Sequence, residues 1–422
     1  MTWAITWART RAAWARTPAA ALAVALVAGC SGAASASPGS SHPASKDRPA
    51  SVATSAAGSG SGQADTGGGP SGAAPRHRAL PRLPHLTDRQ LAGQRVIYSY
   101  SGLTPPAALL AKIRAGQVAG VIFFSGNITS QAQLARVAAE LQRAAMSKSD
   151  PVREPLLLMT DQEGGAVRRL PGGPAKSEKQ IGLSAHPSHA ARNAGRVAAA
   201  NLRSAGLNVN LAPVLDVYRK AGNFIDEFGR SYSRDPAIVS QLGADFIQAQ
   251  QGKGVAATAK HFPGLGAAAR SQNTDLRPVT LNLSKSQIRS IDELPYRQAI
   301  AVGTKLIMVS WASYPSLGTK RPAGLASIVV QGELRKRLGY TGVTITDALE
   351  AGALRAYGGT AQRAVMAATA GMDLVLCSAQ NPSQGTDAVT ALTGAYRDSS
   401  INRAKFRQAV QRILALRMSL PG

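Results

Sequence analysis

Five apolar runs of the sequence end in side chains that can carry charge or form hydrogen bonds. They end in Asp161, Asp216, Lys260-His261, Ser310 and Asp347. Carboxylate, ammonium and imidazole groups are those that enzymes use to bind polar substrates and to transfer protons. Because the five runs are far apart in the chain, they can cooperate only if the fold brings their ends together. Any one of them, Asp216 above all, could instead cap the helix that follows.

The elements that would position these groups are eight short apolar or β-branched runs, separated by Ala- and Arg-rich stretches typical of helices. The runs are residues 94–100, 118–125, 156–161, 207–216, 254–261, 305–310, 342–347 and 373–377. Buried strands that alternate with helices indicate a parallel sheet covered on both faces. Eight such units predict an α/β fold of the (β/α)8 TIM-barrel type, with a doubly wound open sheet as the second choice. The carboxyl ends of barrel strands surround one mouth, so a barrel would collect the polar ends in one pocket.

Four motifs carry most of these groups. In chain order they are Asp161-Gln162-Glu163-Gly164-Gly165 with Arg169 shortly after, Gly229-Arg230-Ser231-Tyr232, Lys260-His261-Phe262-Pro263-Gly264, and Gly342-Val343-Thr344-Ile345-Thr346-Asp347. Glycines directly after a strand let the backbone turn tightly beneath a ligand. For Lys260-His261 the alternative is a buried salt bridge with a core histidine, and for Arg230 it is a structural pair with Asp235. Glu163 could be an acid catalyst, but the adjacent glycine turn favours a role in fixing the backbone.

This ordered series resembles glycoside hydrolase family 3, in particular its single-domain β-N-acetylhexosaminidase-like branch, over about residues 86–420. The resemblance implies a retaining exo-β-glycosidase that needs no cofactor and no metal. At matching positions it implies that Asp347 is the nucleophile and forms a covalent glycosyl-enzyme intermediate. It implies sugar binding by Asp161, Arg169, Arg230, Lys260 and His261. A retaining glycosidase needs a second carboxyl or equivalent group as proton donor beside the nucleophile.

The sequence departs from that branch where the proton donor belongs. The branch carries an Asp-Ser-His triplet in the loop after Lys260-His261, but residues 265–275 contain no histidine, and Trp311 stands where many relatives have a histidine. Three explanations remain open. Asp275 replaces the acid/base with a raised pKa, or substrates with good leaving groups react slowly without an acid, or the domain binds glycan without cleaving it.

The N-terminal 85 residues predict export and tethering. Arg9, Arg11 and Arg16 precede an uncharged stretch too short to span a bilayer, and residues 27–30 resemble a bacterial lipobox ending in Cys30. We therefore expect a lipoprotein signal peptide over residues 1–29, with an ordinary signal peptide as the alternative. Residues 30–85 would be the lipidated Cys30 and a disordered linker rich in Ser, Ala, Gly and Pro. The barrel domain, residues 86–420, would then be anchored to the outer face of the cell membrane, in the cell wall space.

The charge balance is strongly basic, with 48 Lys and Arg against 23 Asp and Glu and a formal net charge of +25. The basic residues are spread among alanines with only 5% aromatic residues, and the chain is predicted to be exported, which argues against nucleic acid as a partner. Anionic wall polymers or lipid head groups remain open as partners, as does a compositional bias with no ligand. His186 and His189 form no metal-ligand spacing with any Asp, Glu or Cys.

These patterns together predict an enzyme of the cell envelope. We expect a β-N-acetylhexosaminidase that acts on peptidoglycan-derived or other N-acetylglucosamine-containing glycans. The alternative is a glycan-binding lipoprotein with little or no turnover, because the acid/base triplet is absent. Cys377 lies in an apolar run and is expected to be a buried side chain.

Overall fold

Eight parallel strands close into a barrel in the computed structural model, which describes residues 80–422. They are β1 (Val96–Tyr98), β2 (Gly120–Ile122), β3 (Leu157–Thr160), β6 (Val209–Asn210), β7 (Ala256–Phe262), β8 (Leu306–Val309), β9 (Val343–Ala348) and β10 (Leu374–Leu376). Each strand pairs with the next along the chain, and β10 pairs with β1 in the register Val96 to Val375 and Ile97 to Leu376. This closure confirms the predicted barrel and excludes the open sheet. The predicted signal peptide, Cys30 and nearly all of the predicted linker lie outside the described residues.

Helices cover the outside of the barrel. They are α1 (Asp88–Gly93), α2 (Ala107–Arg114), α3 (Gln131–Ala145), α4 (Glu178–Gly182), α5 (Pro187–Ser204), α6 (Pro236–Gln251), α7 (Lys285–Gln287), α8 (Leu294–Ala301), α9 (Thr360–Ala370), α10 (Pro382–Arg397) and α11 (Arg403–Met418). The shorter helical segments are the 3₁₀ turns Ser125–Asn127, Asp226–Phe228, Pro315–Leu317, Ala323–Leu325 and Gly352–Tyr357, and the π-helical segments Ile288–Asp292 and Ile328–Arg337. The second π-helical segment is the crossover from β8 to β9. An antiparallel hairpin, β4 (Gln162–Gly164) with β5 (Val167–Arg168), follows β3.

The helices begin and pack where the local sequence directs them. The Ser130 hydroxyl accepts a hydrogen bond from the Gln133 N–H at 3.1 Å and caps α3. Leu134, Val137 and Leu141 then recur every three or four residues and are buried against the barrel. Helices α6 and α10 use the same arrangement, with a side-chain cap at the first turn and one buried face.

The core has two layers because successive strand residues point to opposite faces. Val96 and Tyr98 pack outward against the helices, whereas Ile97 between them points into the barrel interior. The interior also contains Ile413 and Leu416 of α11, so this helix closes the amino-terminal end of the barrel. The opposite end, where the strands finish, is left for a site.

Two further features of residues 80–422 bear on the sequence predictions. Cys377 is fully buried, as expected. None of the helices in this part of the chain combines the length and the apolar character needed to cross a bilayer.

Candidate active site

A pocket opens at the carboxyl ends of the barrel strands. All seven residues that the sequence analysis assigned to catalysis or sugar binding line it: Asp161, Arg169, Arg230, Lys260, His261, Asp275 and Asp347. Its apolar lining includes Ile122, Leu211, Met308 and Leu376, four residues of the barrel-interior layer. The pocket is therefore blind at its base and surrounded by charged groups.

The strands and their connections position these groups. Asp161 follows β3 directly, Lys260 and His261 lie within β7, and Asp347 is the penultimate residue of β9. The predicted strand over residues 207–216 is shorter than expected, since β6 ends at Asn210. A single parallel bridge between Val214 and Lys260 continues its path toward the pocket. Ser310, the fifth polar strand end, does not line the pocket, because its hydroxyl turns back to accept the Ala312 N–H at 2.9 Å.

A chain of ion pairs runs through one wall of the pocket. The Lys260 Nζ is buried and lies 2.7 Å from Asp161 Oδ1 and 2.7 Å from Glu163 Oε1. Arg230 donates two hydrogen bonds of 2.9 Å to the same Glu163 carboxylate. The alternative partner of Arg230, Asp235, is therefore not the one that it binds. One expectation is corrected: Glu163 fixes two side chains rather than the backbone of the glycine turn. Bidentate, charge-assisted contacts of this kind hold an arginine in one orientation.

The ion pairs also determine the protonation states of Glu163 and Lys260 in this wall. Burial alone would raise the pKa of Glu163, but the Arg230 and Lys260 cations lower it to about 2. Burial by itself lowers the pKa of a lysine, yet the Asp161 and Glu163 carboxylates raise the pKa of Lys260 above its usual value. Both groups are charged at neutral pH, so the network is preserved.

Asp161 and Arg169 retain unused hydrogen-bonding capacity at the pocket surface. The Arg169 Nε lies 3.9 Å from Asp161 Oδ2, which is too far for a hydrogen bond, and this buried nitrogen has no hydrogen-bond partner among residues 80–422. A buried donor without a partner costs free energy unless a ligand or a water satisfies it. An acceptor and a donor side by side are suited to neighbouring hydroxyl groups.

His261 is oriented by Asp216. The Asp216 carboxylate accepts hydrogen bonds from the His261 Nδ1 at 2.8 Å and from the Leu265 N–H at 2.6 Å. Asp216 is therefore not a helix cap, and its position next to His261 was not evident from the sequence. With Nδ1 as the donor, the imidazole presents Nε2 away from Asp216, on the side of the pocket.

Asp347 is half-buried at the end of β9. Its Oδ1 accepts a hydrogen bond of 2.7 Å from the N–H of Ala348. The carbonyl of the same Ala348 accepts a hydrogen bond of 2.9 Å from Trp311 Nε1. Both backbone polar groups of Ala348, the residue after the proposed nucleophile, are thus hydrogen-bonded.

Asp275 reaches the same pocket from the loop after β7. Its N–H donates to Asn273 Oδ1 at 2.8 Å, and its carbonyl accepts from the Gly352 N–H at 2.8 Å. Burial and the Asp347 carboxylate raise the pKa of Asp275 to about 7. Asp275 therefore keeps its proton to a higher pH than an ordinary aspartic acid does. The loop is packed tightly, because a Cβ on Gly266 would lie 2.0 Å from the Val217 carbonyl oxygen.

Two more carboxyls near the site were missed in the sequence. Glu178 is buried and accepts the Val214 N–H at 2.9 Å, and burial together with the Glu163 charge raises its pKa well above the usual value. Glu350 accepts hydrogen bonds from the Ser378 hydroxyl at 2.7 Å and the Gln384 amide at 3.0 Å. Neither residue ends an apolar run of the sequence, so only the tertiary structure shows that the two lie near the pocket. Within residues 80–422, no three His, Cys, Asp or Glu side chains are grouped in a way that could hold a metal ion.

Comparison with known proteins gives a family match and several close relatives. Residues 91–416 match the model described as glycosyl hydrolase family 3 N terminal domain. An uncharacterized secreted glycosyl hydrolase of Arthroderma benhamiae is 49% identical over 331 residues, which cover 78% of this chain and 93% of that protein. A beta-hexosaminidase of Nitrosomonas eutropha is 32% identical over 283 residues, covering 65% of this chain and 77% of that protein.

Two solved structures are similar over the barrel. A glycoside hydrolase family 3 beta-N-acetylglucosaminidase from Paenibacillus sp. str. FPU-7 aligns with a TM-score of 0.74 and 35% identity, over 79% of this chain and 63% of that chain. The beta-N-acetylhexosaminidase from Beutenbergia cavernae aligns with a TM-score of 0.72 and 28% identity, over 79% of this chain and 99% of that chain. The chain thus spans less than two thirds of the Paenibacillus protein and nearly all of the Beutenbergia protein.

Proposed function

This chain belongs to glycosyl hydrolase family 3, and we propose that it is a retaining exo-β-N-acetylhexosaminidase that works through a covalent glycosyl-Asp347 intermediate. The observation that carries the proposal is the shared pocket of Asp347 and Asp275, in which Asp347 helps to raise the pKa of Asp275. A retaining mechanism needs one carboxylate as nucleophile and one protonated group as acid.

In the first step, a carboxylate oxygen of Asp347 attacks the anomeric carbon of the terminal sugar. The bond from that carbon to the glycosidic oxygen breaks, and the Asp275 carboxyl donates its proton to the departing oxygen. The products are a glycosyl ester on Asp347, the released remainder of the glycan and an Asp275 carboxylate. The raised pKa of Asp275 supports this role, because a proton donor must hold its proton near the working pH.

In the second step, the Asp275 carboxylate takes a proton from water while the water oxygen attacks the anomeric carbon. The ester bond breaks and Asp347 becomes a carboxylate again. Formation of the ester removes the Asp347 charge that helped to raise the pKa of Asp275, so this pKa falls. Asp275 therefore remains a carboxylate, free to accept a proton from water, at the stage where it must act as the base. The coupling between the two carboxyls thereby serves both steps.

The remaining wall would bind the terminal sugar. Asp161 and Arg169 offer an acceptor and an unpartnered donor to neighbouring hydroxyls, and His261 offers its Nε2. Arg230 and Lys260 are fixed by Glu163, so they present their remaining N–H groups without rearrangement. The blind base of the pocket supports removal of a single terminal residue. Relatives named beta-hexosaminidase and beta-N-acetylglucosaminidase support N-acetylglucosamine as that residue, with peptidoglycan-derived fragments as the proposed glycan.

The nucleophile can be tested with a fluorosugar that accumulates the glycosyl-enzyme. Wild-type protein should gain the mass of one sugar on the peptide that contains Asp347, and Asp347→Ala should gain none and lose about 10³-fold or more in kcat on an aryl N-acetylglucosaminide. Asp387→Ala, which removes an exposed carboxylate of α10 outside the pocket, is the matched control and should behave as wild type. Labelling of Asp275 or Glu350 instead would show that Asp347 is not the nucleophile. Binding of the sugar without any hydrolysis would favour the non-catalytic alternative.

We further propose that the enzyme is exported and lipid-anchored through Cys30, with a linker that holds the barrel away from the membrane. The description of the Arthroderma relative as secreted supports export. The lipobox-like residues 27–30 support the anchor, and they lie outside the residues that the structure describes.

A further inference from the structure

The loop that carries Asp275 leaves the barrel through a turn at residues 264–266. We call residues 263–275, which run from the end of β7 to Asp275, the acid loop. Leu265 of this turn lines the same pocket as Asp275, so the loop contributes to the pocket wall at both of its ends. The position of the turn therefore sets where the loop begins its path to Asp275.

The acid loop is held at its ends and exposed between them. At the far end, the carbonyl oxygens of Thr274 and Asp275 accept backbone N–H groups at 2.9 and 2.8 Å. Residues 269–271 in the middle are exposed. The ion pair there, between Arg270 and Glu227, lies at the surface, where such pairs contribute little. The contacts of the turn are therefore a main constraint on the loop.

Two other segments of the chain pack closely on this turn. A Cβ on Gly264 would lie 2.8 Å from the Cβ of Asp292, the last residue of the π-helical segment Ile288–Asp292. A Cβ on Gly266 would lie 2.0 Å from the carbonyl oxygen of Val217, in the segment that follows β6. Neither position leaves room for a side chain unless its neighbours shift. The turn is thus packed against Asp292 and against Val217.

Arg219 connects these two segments to each other and to the turn. Its Nη1 donates a hydrogen bond to the Val217 carbonyl at 2.9 Å, and its Nη2 donates to Asp292 Oδ2 at 2.7 Å. Its backbone N–H donates to the carbonyl of Gly266 at 2.9 Å. One residue therefore binds the turn and both of the segments that pack on it.

The Asp292 carboxyl is fully buried and depends on this arginine. Its Oδ2 is bound by Arg219, whereas its Oδ1 has no hydrogen-bond partner among residues 80–422. Burial raises the pKa of Asp292 to about 7, although the Arg219 cation opposes this rise. Oδ2 can accept the guanidinium hydrogen bond in the ionised carboxyl and also when the proton is on Oδ1. The link between the two residues therefore persists on both sides of neutral pH.

We propose that Arg219, through its link to Asp292, is a positioning residue that holds the acid loop and thereby the Asp275 carboxyl. This inference rests on the proposed function, since Asp275 is the proton donor there. Arg219 does not line the pocket, so it would act only through the loop. A proton donor must lie within hydrogen-bond reach of the departing oxygen, and a displacement of about 1 Å can cost up to about 10²-fold in rate.

The experiment uses three variants of the full chain. Arg219→Met removes the guanidinium and keeps an apolar stem, and Arg219→Lys keeps a cation that can pair with Asp292. In Arg219→Met the buried Asp292 would take up a proton, because the cation that lowers its pKa is gone, so no unpaired charge would remain in the core. Arg192→Met is the matched control, since it breaks a 2.8 Å ion pair with the buried Asp245, between α5 and α6 and outside the pocket.

Each protein is assayed on a disaccharide of N-acetylglucosamine and on a dinitrophenyl N-acetylglucosaminide. Arg219→Met should lower kcat/KM about tenfold on the disaccharide and less than about twofold on the aryl glycoside, because only the disaccharide needs a proton on its departing oxygen. Arg219→Lys should recover most of the loss. Arg192→Met should lower the melting temperature and leave both values of kcat/KM near wild type. If Arg219→Met lowers kcat/KM by the same factor on both substrates, its role is purely structural and the inference is wrong.

Combination with Asp275→Asn tests whether Arg219 acts through Asp275. In that background Arg219→Met should lower kcat/KM on the disaccharide by less than about twofold, because the group that it positions is already gone. A further tenfold loss would overturn the inference and leave the proposed function intact. If Asp275→Asn alone shows no dependence on the leaving group, the proton donor of the proposed function is wrong, and the inference fails with it.

Discussion

Asp275 and Asp347 line the same pocket, but the hydrogen bonds around the two carboxyl groups differ. Asp347 is the penultimate residue of β9, and its carboxylate accepts the N–H of the last one, Ala348. Asp275 is held by its backbone in a loop, and no described hydrogen bond engages its carboxylate oxygens. A carboxyl without donors and close to another carboxylate keeps its proton more readily. This difference supports the proposed acid role of Asp275 at the level of single residues.

Substitution of Asp275 by Asn should therefore affect poor leaving groups far more than good ones. For a disaccharide, kcat/KM should fall by about 10²- to 10⁴-fold, because the departing oxygen needs a proton. For an aryl glycoside with a strongly acidic phenol, kcat/KM should remain close to that of wild type, because this constant reports only the steps up to bond cleavage. Asp235→Asn is the matched control. If the substitution lowers kcat/KM by the same factor for both substrates, Asp275 is not the acid.

The pH profile gives a second readout of the same variant. The acid must be protonated, and Asp275 has a pKa raised to about 7, so kcat/KM of wild type on the disaccharide should decline as the pH rises through about 7. In Asp275→Asn this decline should disappear, since the titrating group is gone. A decline that persists unchanged in the variant would point to another group, and His261 with its Asp216 partner would be the next to examine.

At the scale of elements, the end of β9 is fixed by a neighbouring strand. The Trp311 indole, which follows β8, donates to the carbonyl of Ala348, whose N–H in turn binds Asp347. A Cβ on Gly324 would lie 2.6 Å from the indole ring, so the ring fits closely in its place. We therefore propose that Trp311, which does not line the pocket, is a positioning residue for Asp347.

Replacement of Trp311 by Phe should lower kcat about 2- to 10-fold and leave KM nearly unchanged. The ring remains, but the Ala348 carbonyl loses a buried donor, and a lost hydrogen bond of this kind costs about 0.5–1.5 kcal/mol. Tyr340→Phe is the matched control, because the Tyr340 hydroxyl binds the Val343 carbonyl at 2.9 Å at the other end of β9. Both variants should lower the melting temperature, and only Trp311→Phe should lower kcat. Equal losses of kcat would reduce Trp311 to a purely structural role.

At the scale of the whole molecule, the two ends of the barrel have different roles. Helix α11 closes the amino-terminal end, where Arg412 pairs with the buried Asp373 at 2.7 Å and Arg417 binds the Pro155 carbonyl at 2.8 Å. The carboxyl end contains the pocket with Asp347 and Asp275. Stability and function are therefore separated along the barrel axis, as is general for this architecture.

The proposed anchor can be tested on the full chain with the two cysteines. Cells that express wild-type protein should retain it in the membrane fraction and incorporate radiolabelled fatty acid into it. Cys30→Ser should lose the label and appear in the wall or medium fraction. Cys377→Ser is the matched control, because Cys377 is buried in the barrel and should not change the location. If wild type and Cys30→Ser fractionate alike, Cys30 is not an anchor.

The sequence by itself determined that the chain forms a barrel and which charged residues line its pocket. Apolar runs that end in polar side chains are a local pattern, and barrel closure brings the ends of all strands to one side whatever their order. That is why Asp161, Lys260 and Asp347 could be placed together from their positions alone. Asp275 was found through its position in the loop that lacks a histidine.

Only the tertiary structure decided how these groups are paired and charged. Glu163 binds Arg230, which lies 67 positions further along the chain, and Asp216 orients His261, which lies 45 positions further. Trp311 binds the carbonyl of Ala348, 37 positions away. Such pairs depend on the direction of each side chain across the barrel, which strand periodicity does not specify. The raised pKa of Asp275 likewise follows from its burial and from the Asp347 charge, because a pKa depends on distance in space and on exclusion of water, and neither is encoded in the order of residues.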